Sequence, residues 1–227
     1  MQSLSSSAIA ARIAQIQSTL PPHVRLMAVT KTVSVEAMRV AYAAGIRDFG
    51  ENRVQEAIAK QAKLQDLTDV TWHLIGHLQR NKAAKAVQHF DWIHSVDSLA
   101  IAQRLNDLAA QQQQTPTVCL QVKLLPDPNK YGWQPAELLN DLPQLDTCTH
   151  LNIVGLMVIP PYGLAPSEAL AVFQRARDLA DQIRRQSLTH LQMHHLSMGM
   201  SGDYQLAIQA GATIIRLGQI IFGERQT

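Results

Sequence analysis

The sequence predicts an α/β protein built as a single (β/α)8 TIM-type barrel preceded by an extra N-terminal helix. Three observations point there. β-rich apolar runs alternate with helical patterns, there are eight such runs, and the turn after the first contains no glycine. Repeated βα units imply a parallel sheet covered by helices, and eight of them in 227 residues fit a closed barrel. An open doubly wound sheet would normally place a glycine-rich turn after its first strand. Here that position reads Ala28-Val-Thr-Lys-Thr32.

Taken in order, Ile9, Ile13 and Ile16 recur at helical spacing and predict an amphipathic first helix. The strand-like runs are Leu26–Thr30, Ile46–Phe49, Thr71–Ile75, Trp92–Ser95, Thr117–Val122, Ile153–Ile159, Met193–Ser197 and Ile214–Leu217. Helical patterns between them include Val35–Ala44, Arg53–Leu67, Ser98–Gln113, Pro135–Leu142, Pro166–Arg185 and Asp203–Ala210. A short apolar helix, Gln219–Phe222, follows the last strand. The glutamine tract Gln111–Gln114 reads as a solvated turn at a helix end, and Leu125–Trp133 and Pro160–Gly163 as loops. No linker divides the chain, so one domain over residues 1–227 is expected.

Hydrophobic residues make up 46% and charged residues 17%, which supports a sizeable core and excludes disorder. A net charge of +2 gives no electrostatic case for nucleic acid. Cys119 and Cys148 do not make a disulfide framework, so a reducing compartment is expected. The longest apolar stretch, Ile153–Pro161, is too short to span a bilayer. The serine-rich start lacks a basic segment followed by an apolar one. With Arg12 its only basic residue before Leu20, a cytoplasmic protein is expected. No Cys/His pattern has zinc spacing, and no nucleophile elbow or Walker loop is present.

Parallel barrels do their chemistry at the carboxyl ends of the strands. Lys31 closes the first strand, Gly50-Glu51-Asn52 the second, and Gly76-His77 the third. Such barrels often bind phosphate with the loops after strands seven and eight. Here those loops carry Ser197, Met198, Gly199 and Ser201, then Gly218. Ser201 is expected to cap the following helix, with Gly211 near that helix's end. Backbone N–H groups at such starts attract anions, although turn and cap roles alone would also explain these residues. Arg216 lies in an apolar strand and must have partners, either a carboxylate or a ligand. Lys31 reads either as a solvated strand-end lysine or as a Schiff-base amine. The latter needs a neutral amine, favoured by partial burial or a nearby cation. His77 could be a general base, with Lys130 and Tyr162 as further candidates at the same face. His194 and His195 point to opposite faces of their strand and do not share a metal.

Five segments together resemble one family, the pyridoxal 5'-phosphate (PLP) homeostasis proteins of the YggS/PROSC group. They are Ala28–Thr32, Phe49–Glu56, Trp72–Lys82, Leu196–Ser201 and Arg216–Gly223, in matching order. The resemblance implies a fold-type III PLP barrel similar to the N-terminal domain of alanine racemase. It implies that Lys31 forms the Schiff base, that Asn52 lies near the ring hydroxyl, and that Arg216 faces the pyridine nitrogen. It assigns the phosphate to the Ser197–Ser201 loop and the backbone around Gly218. One departure is Gln219, where many members carry Ser or Thr. A cation at the ring nitrogen favours its unprotonated form and weakens carbanion stabilisation. The sequence ends at Thr227, so the second domain that completes a racemase is expected to be absent. The expected protein is a monomeric PLP carrier or buffer in vitamin B6 and amino-acid homeostasis, without turnover. PLP-dependent apo-enzymes would be its partners, and a weak amino-acid racemase is the alternative.

Overall fold

The computed structural model describes residues 6–127 and 130–223. The serine-rich start at 1–5, and Pro128 and Asn129 of the 125–133 loop, lie outside the described residues. The eight strands are β1 Arg25–Val29, β2 Asp48–Glu51, β3 Thr71–Leu74, β4 Trp92–Val96, β5 Thr117–Val122, β6 Asn152–Val158, β7 Leu191–Ser197 and β8 Ile214–Leu217. Every neighbouring pair is parallel, and β8 pairs with β1, so the sheet closes into a barrel in chain order.

Helices clothe the outside: α1 Ser6–Gln17, α2 Val35–Ala43, α3 Val54–Gln61, α4 Ala83–His89, α5 Leu99–Gln112, α6 Pro135–Leu145, α7 Pro166–Arg184, α8 Tyr204–Gln209 and α9 Gln219–Phe222. Their starts follow local chemistry. The Ser34 hydroxyl accepts from the Ala37 N–H at 3.2 Å at the head of α2. The α7 start places Pro166 in its first turn, and Glu168 accepts from the Ala165 N–H at 2.8 Å. Gln113, in the left-handed region at φ 54°, ends α5 inside the glutamine tract. α1 buries Ile9, Ile13 and Ile16 and packs against α2 and α9.

Some expected bounds differ from the structure: β2 runs Asp48–Glu51 rather than Ile46–Phe49, and β7 begins at Leu191 rather than Met193. The helical pattern over Arg53–Leu67 forms a helix only to Gln61. Leu64, 3% exposed, is buried from the turns that follow, so apolar spacing outlasts helical backbone. A 3-10 turn at Arg80–Lys82 then leads into α4, which the sequence patterns did not delimit.

The main core lies between sheet and helices, around Phe49, Leu120 and Phe173. A smaller apolar cluster, Cys119, Val154 and Met157, is separate from it, with Trp92 and Ile159 against it. Burial pushes the Cys119 thiol up to about 12, so it stays an inert core group. Among the described residues no helix is long and apolar enough to cross a membrane.

Candidate functional site at the carboxyl ends of the strands

Lys31 follows β1 directly, half-buried, in a turn held from both sides. Before it, the Thr30 N–H donates to the Gly50 carbonyl at 2.9 Å. The Thr30 carbonyl accepts from Lys60 Nζ at 2.6 Å. After it, Thr32 adopts φ 63°, a left-handed conformation that β-branched residues rarely take. The Thr32 N–H donates to Glu56 Oε1 at 2.6 Å. Lys60 ties these contacts together, donating to Glu51 Oε1 at 2.8 Å and to Glu56 Oε1 at 2.7 Å. The Thr30 hydroxyl adds a 2.6 Å bond to Glu51. Burial pushes the Glu51 carboxyl up, against the opposing pull of Lys60 and Thr30. Its Oε2 has no hydrogen-bond partner among the described residues. Strained backbone of this kind persists where its surroundings over-determine it. Asn52 follows Glu51, half-buried, at the end of the adjacent strand.

The loops after β7 and β8 meet. Ser201 is not a helix cap as expected. The α8 N-cap is Asp203, whose Oδ1 accepts from the Met200 N–H at 2.6 Å. The Ser201 hydroxyl instead accepts from the Ile220 N–H at 3.3 Å, joining its loop to the start of α9. Gly199 has φ 92°, and a Cβ there would come within 2.6 Å of the Ala207 Cβ. A side chain is excluded twice, by conformation and by space. Met198 is buried in the helix–sheet core and its N–H donates to the Ile214 carbonyl at 3.0 Å. The Ser197 hydroxyl is also fully buried and engaged, so it does not face outward with Ser201. Among the described residues, the backbone N–H groups of Ser201, Gly202 and Gly218 donate no hydrogen bond. Gly218 lies beside the end of β1, its Cβ position 3.3 Å from the Val29 carbonyl.

Arg216 is 3% exposed. Its NH1 donates to Ser197 Oγ and its NH2 to the Val158 carbonyl, each at 2.9 Å. The carboxylate partner that would make it a structural ion pair is not among its hydrogen bonds. Burial lowers its guanidinium to about 10, opposed by the more distant Asp203, so it stays charged at neutral pH. The barrel thus holds a cation whose hydrogen-bond partners are both neutral.

The three accessory candidates separate. His77 Nδ1 lies 2.8 Å from Asp97 Oδ2 and its ring stacks on Tyr131 at 3.5 Å. With Asp97, Lys123 and Lys130 it lines an open groove of about 410 Å³. Lys130 donates to the Ile159 and Pro160 carbonyls and pairs with Asp127 at 3.5 Å. Tyr162 stands fully in solvent.

Sequence reasoning gave no role to six residues that the structure ties to the site: Glu51, Glu56 and Lys60, and Asp48, His73 and His94. Their signals were present. Glu56 and Lys60 stand at i,i+4 spacing on one helix. His73 and His94 each interrupt an apolar strand, as Arg216 does.

The chain matches the family described as alanine racemase, N-terminal domain, over residues 4–226. It is 53% identical over 211 residues to a pyridoxal phosphate homeostasis protein of Synechocystis sp., covering 93% of this chain and 96% of that one. The protein of the same name in Pseudomonas aeruginosa is 42% identical over 220 residues, with 96% and 93% covered. Among solved structures, PipY of Synechococcus elongatus with PLP bound superposes with a TM-score of 0.91 at 55% identity, covering 95% of this chain and all of that one. An alanine racemase of Clostridium difficile gives a TM-score of 0.78 at 14% identity, covering 97% of this chain and 58% of that one, a likeness of fold alone. The chain therefore belongs to the alanine racemase N-terminal domain family and, within it, to the pyridoxal phosphate homeostasis proteins.

Proposed function

We propose that this protein binds PLP at the carboxyl ends of its strands and holds it as a Schiff base on Lys31. It serves vitamin B6 and amino-acid homeostasis as a cytoplasmic, monomeric carrier or buffer, supplying PLP-dependent apo-enzymes without turnover of its own. The observation that carries the reading is Arg216, a buried cation with neutral hydrogen-bond partners, in the strand that pairs with β1 ahead of Lys31 and runs into Gly218, one of the unspent backbone donors. That donor set fits the group. The N–H groups of Ser201, Gly202 and Gly218 would hold the phosphate, so a hydroxyl at position 219 is not needed. Asn52 would hold the ring hydroxyl, and Arg216 the ring nitrogen. Ser197 acts through Arg216 rather than on the phosphate. When bound, PLP supplies an amine-reactive aldehyde and a ring able to withdraw electrons. A guanidinium at the ring nitrogen keeps that nitrogen unprotonated, which weakens the withdrawal and favours holding over turnover. The PLP-bound relative at 55% identity supports the same reading.

The weak-racemase reading rests on the His77–Asp97 pair, which orients an imidazole as a second base would be. One experiment addresses both. Purified protein loaded with PLP should be yellow, and borohydride should fix the group to Lys31, with capture abolished in Lys31→Ala. Covalent capture at full strength in Lys31→Ala would refute the assignment. Inversion of a single-enantiomer amino acid, lost in Lys31→Ala, would replace the carrier reading.

A further inference from the structure

A continuous line of polar side chains runs through the inside of the barrel, and binding alone gives it no task. Arg25 donates to Asp48 Oδ1, and His73 Nε2 lies 2.8 Å from the same oxygen. His73 Nδ1 lies 2.9 Å from His94 Nε2, and His94 Nδ1 lies 2.9 Å from Ser197 Oγ. Ser197 Oγ accepts from Arg216 NH1 at 2.9 Å. His73, His94 and Ser197 are fully buried. The line joins β1, β2, β3, β4, β7 and β8.

The direction of every proton in it follows from its ends. A guanidinium only donates and a carboxylate only accepts. With both imidazoles neutral, one arrangement makes every contact a hydrogen bond. Arg216 donates to Ser197, the Ser197 hydroxyl to His94 Nδ1, His94 Nε2–H to His73 Nδ1, and His73 Nε2–H to Asp48. Burial keeps both rings neutral, in His73 against the pull of Asp48, and in His94 with added repulsion from His73, Arg216, Arg25 and His195. The charged and titratable groups facing the two rings are these, with Asp48 and Asp91 as the carboxylates. An extra proton on His73 would set two N–H groups face to face, or turn the Ser197 hydroxyl proton out of the line.

We propose that Asp48, His73 and His94 are positioning residues for the PLP ring, acting through Ser197 and Arg216. The inference rests on the reading that Arg216 meets that ring. A carboxylate bonded directly to Arg216 would compete with the ligand for its donors. Relayed through two neutral imidazoles and a hydroxyl, the Asp48 charge polarises and orients the guanidinium without occupying the ligand's side of it. Two of the five guanidinium N–H donors are spent in anchoring, on Ser197 and Val158.

The test begins with ligand-free protein. Nitrogen-15 spectra of the histidine rings should show both His73 and His94 as neutral Nε2–H tautomers at pH 7. An Nδ1–H tautomer or an imidazolium at either position overturns the directed line, whatever the protein binds. In PLP-loaded protein, Ser197→Ala should move the visible absorption band and weaken uptake about tenfold, the worth of one hydrogen bond to a charged group. Ser197→Thr, which keeps a hydroxyl, should restore both. An unmoved band and unchanged uptake in Ser197→Ala would end the positioning role. Should the unaltered protein take up no PLP while the tautomers stand as stated, the binding reading fails and the directed line remains.

Discussion

Two polar networks flank the strand ends, and they are built on opposite principles. The one behind the Lys31 turn is ionic: Lys60 sits between two carboxylates and a carbonyl and holds backbone. The one inside the barrel is neutral over most of its length: two imidazoles and a hydroxyl separate Arg216 from Asp48. The difference follows from what can reach each place. A helix lies over the ends of β1 and β2, so a long lysine from α3 can meet Glu51 there. Inside a closed barrel, side chains come only from strands, and a charge without an immediate counter-ion is costly. Histidine, which is neutral when buried and both donates and accepts, suits that interior.

The largest effect separating the two networks should come from Lys60→Met. It leaves the fully buried Glu51 without its cation, with only the Thr30 hydroxyl bond remaining, and the Thr30 carbonyl without its ammonium. Breaking a buried pair in this way costs about 3–5 kcal/mol, which urea denaturation would read. The strained Thr32 should relax, and capture of PLP on Lys31 should slow. A loss below about 1 kcal/mol with capture unchanged would mean that the ionic cluster does not hold the turn.

Acid should strike the neutral network next. His73 and His94 have folded values below the usual 6.5, because burial disfavours their charged forms. Groups depressed in this way contribute stability that is complete above the unfolded value and lost as pH falls below it. Each histidine kept neutral adds a slope of up to about 1.4 kcal/mol per pH unit. The pair should therefore lose stability as pH falls from 7 to 5, at a rate no steeper than that slope for each ring. Asp48 sits lower: burial raises it, but the hydrogen bond from His73 and the neighbouring Arg25 guanidinium outweigh that. Its contribution is lost only below the ordinary aspartate range. A flat stability profile from pH 7 to pH 5 would show that the two rings charge freely in the folded state.

The smallest stability effect is expected for Arg216→Met. No hydrogen-bonded carboxylate is orphaned, Ser197 keeps its bond to His94, and the Val158 carbonyl alone is left short. The cost should be about 1–2 kcal/mol, with PLP uptake falling far more than stability. If Arg216→Met unfolds the protein as readily as Lys60→Met, the interior network is as ionic as the outer one.

Much of the fold was legible because period and punctuation are local. Eight apolar runs of strand length, all but the third followed by a helical pattern, identify parallel βα units, and the β5 and β8 bounds agree residue for residue. Helix α3 overran because Leu64 and Leu67 keep helical spacing in non-helical backbone. At the site, Lys31 was visible as a strand end and Arg216 as a cation in an apolar strand. Ser201 was misread because a serine near a helix start signals a cap, whereas Asp203, two residues later, holds the N-cap position and its carboxylate turns back to the Met200 N–H. Tyr162 was offered as an accessory residue because sequence shows which loop a residue belongs to, not how far its side chain stands in solvent.

The amino-acid sequence by itself determined the barrel, its strand order, the lysine after β1, the arginine in β8 and the family. These depend on residue type and on spacing along the chain. Only the tertiary structure decided that Lys60 would cross to the Thr30 carbonyl, that Ser197 would turn inward, and that histidines from β3 and β4 would bridge Asp48 to Arg216. Those contacts join residues up to 103 positions apart, such as His94 and Ser197. They depend on strand register and on which side chains a closed barrel turns inward, and neither is written in local pattern. Lys31 and Arg216 were named by the sequence, and the groups that aim them are products of the closed barrel.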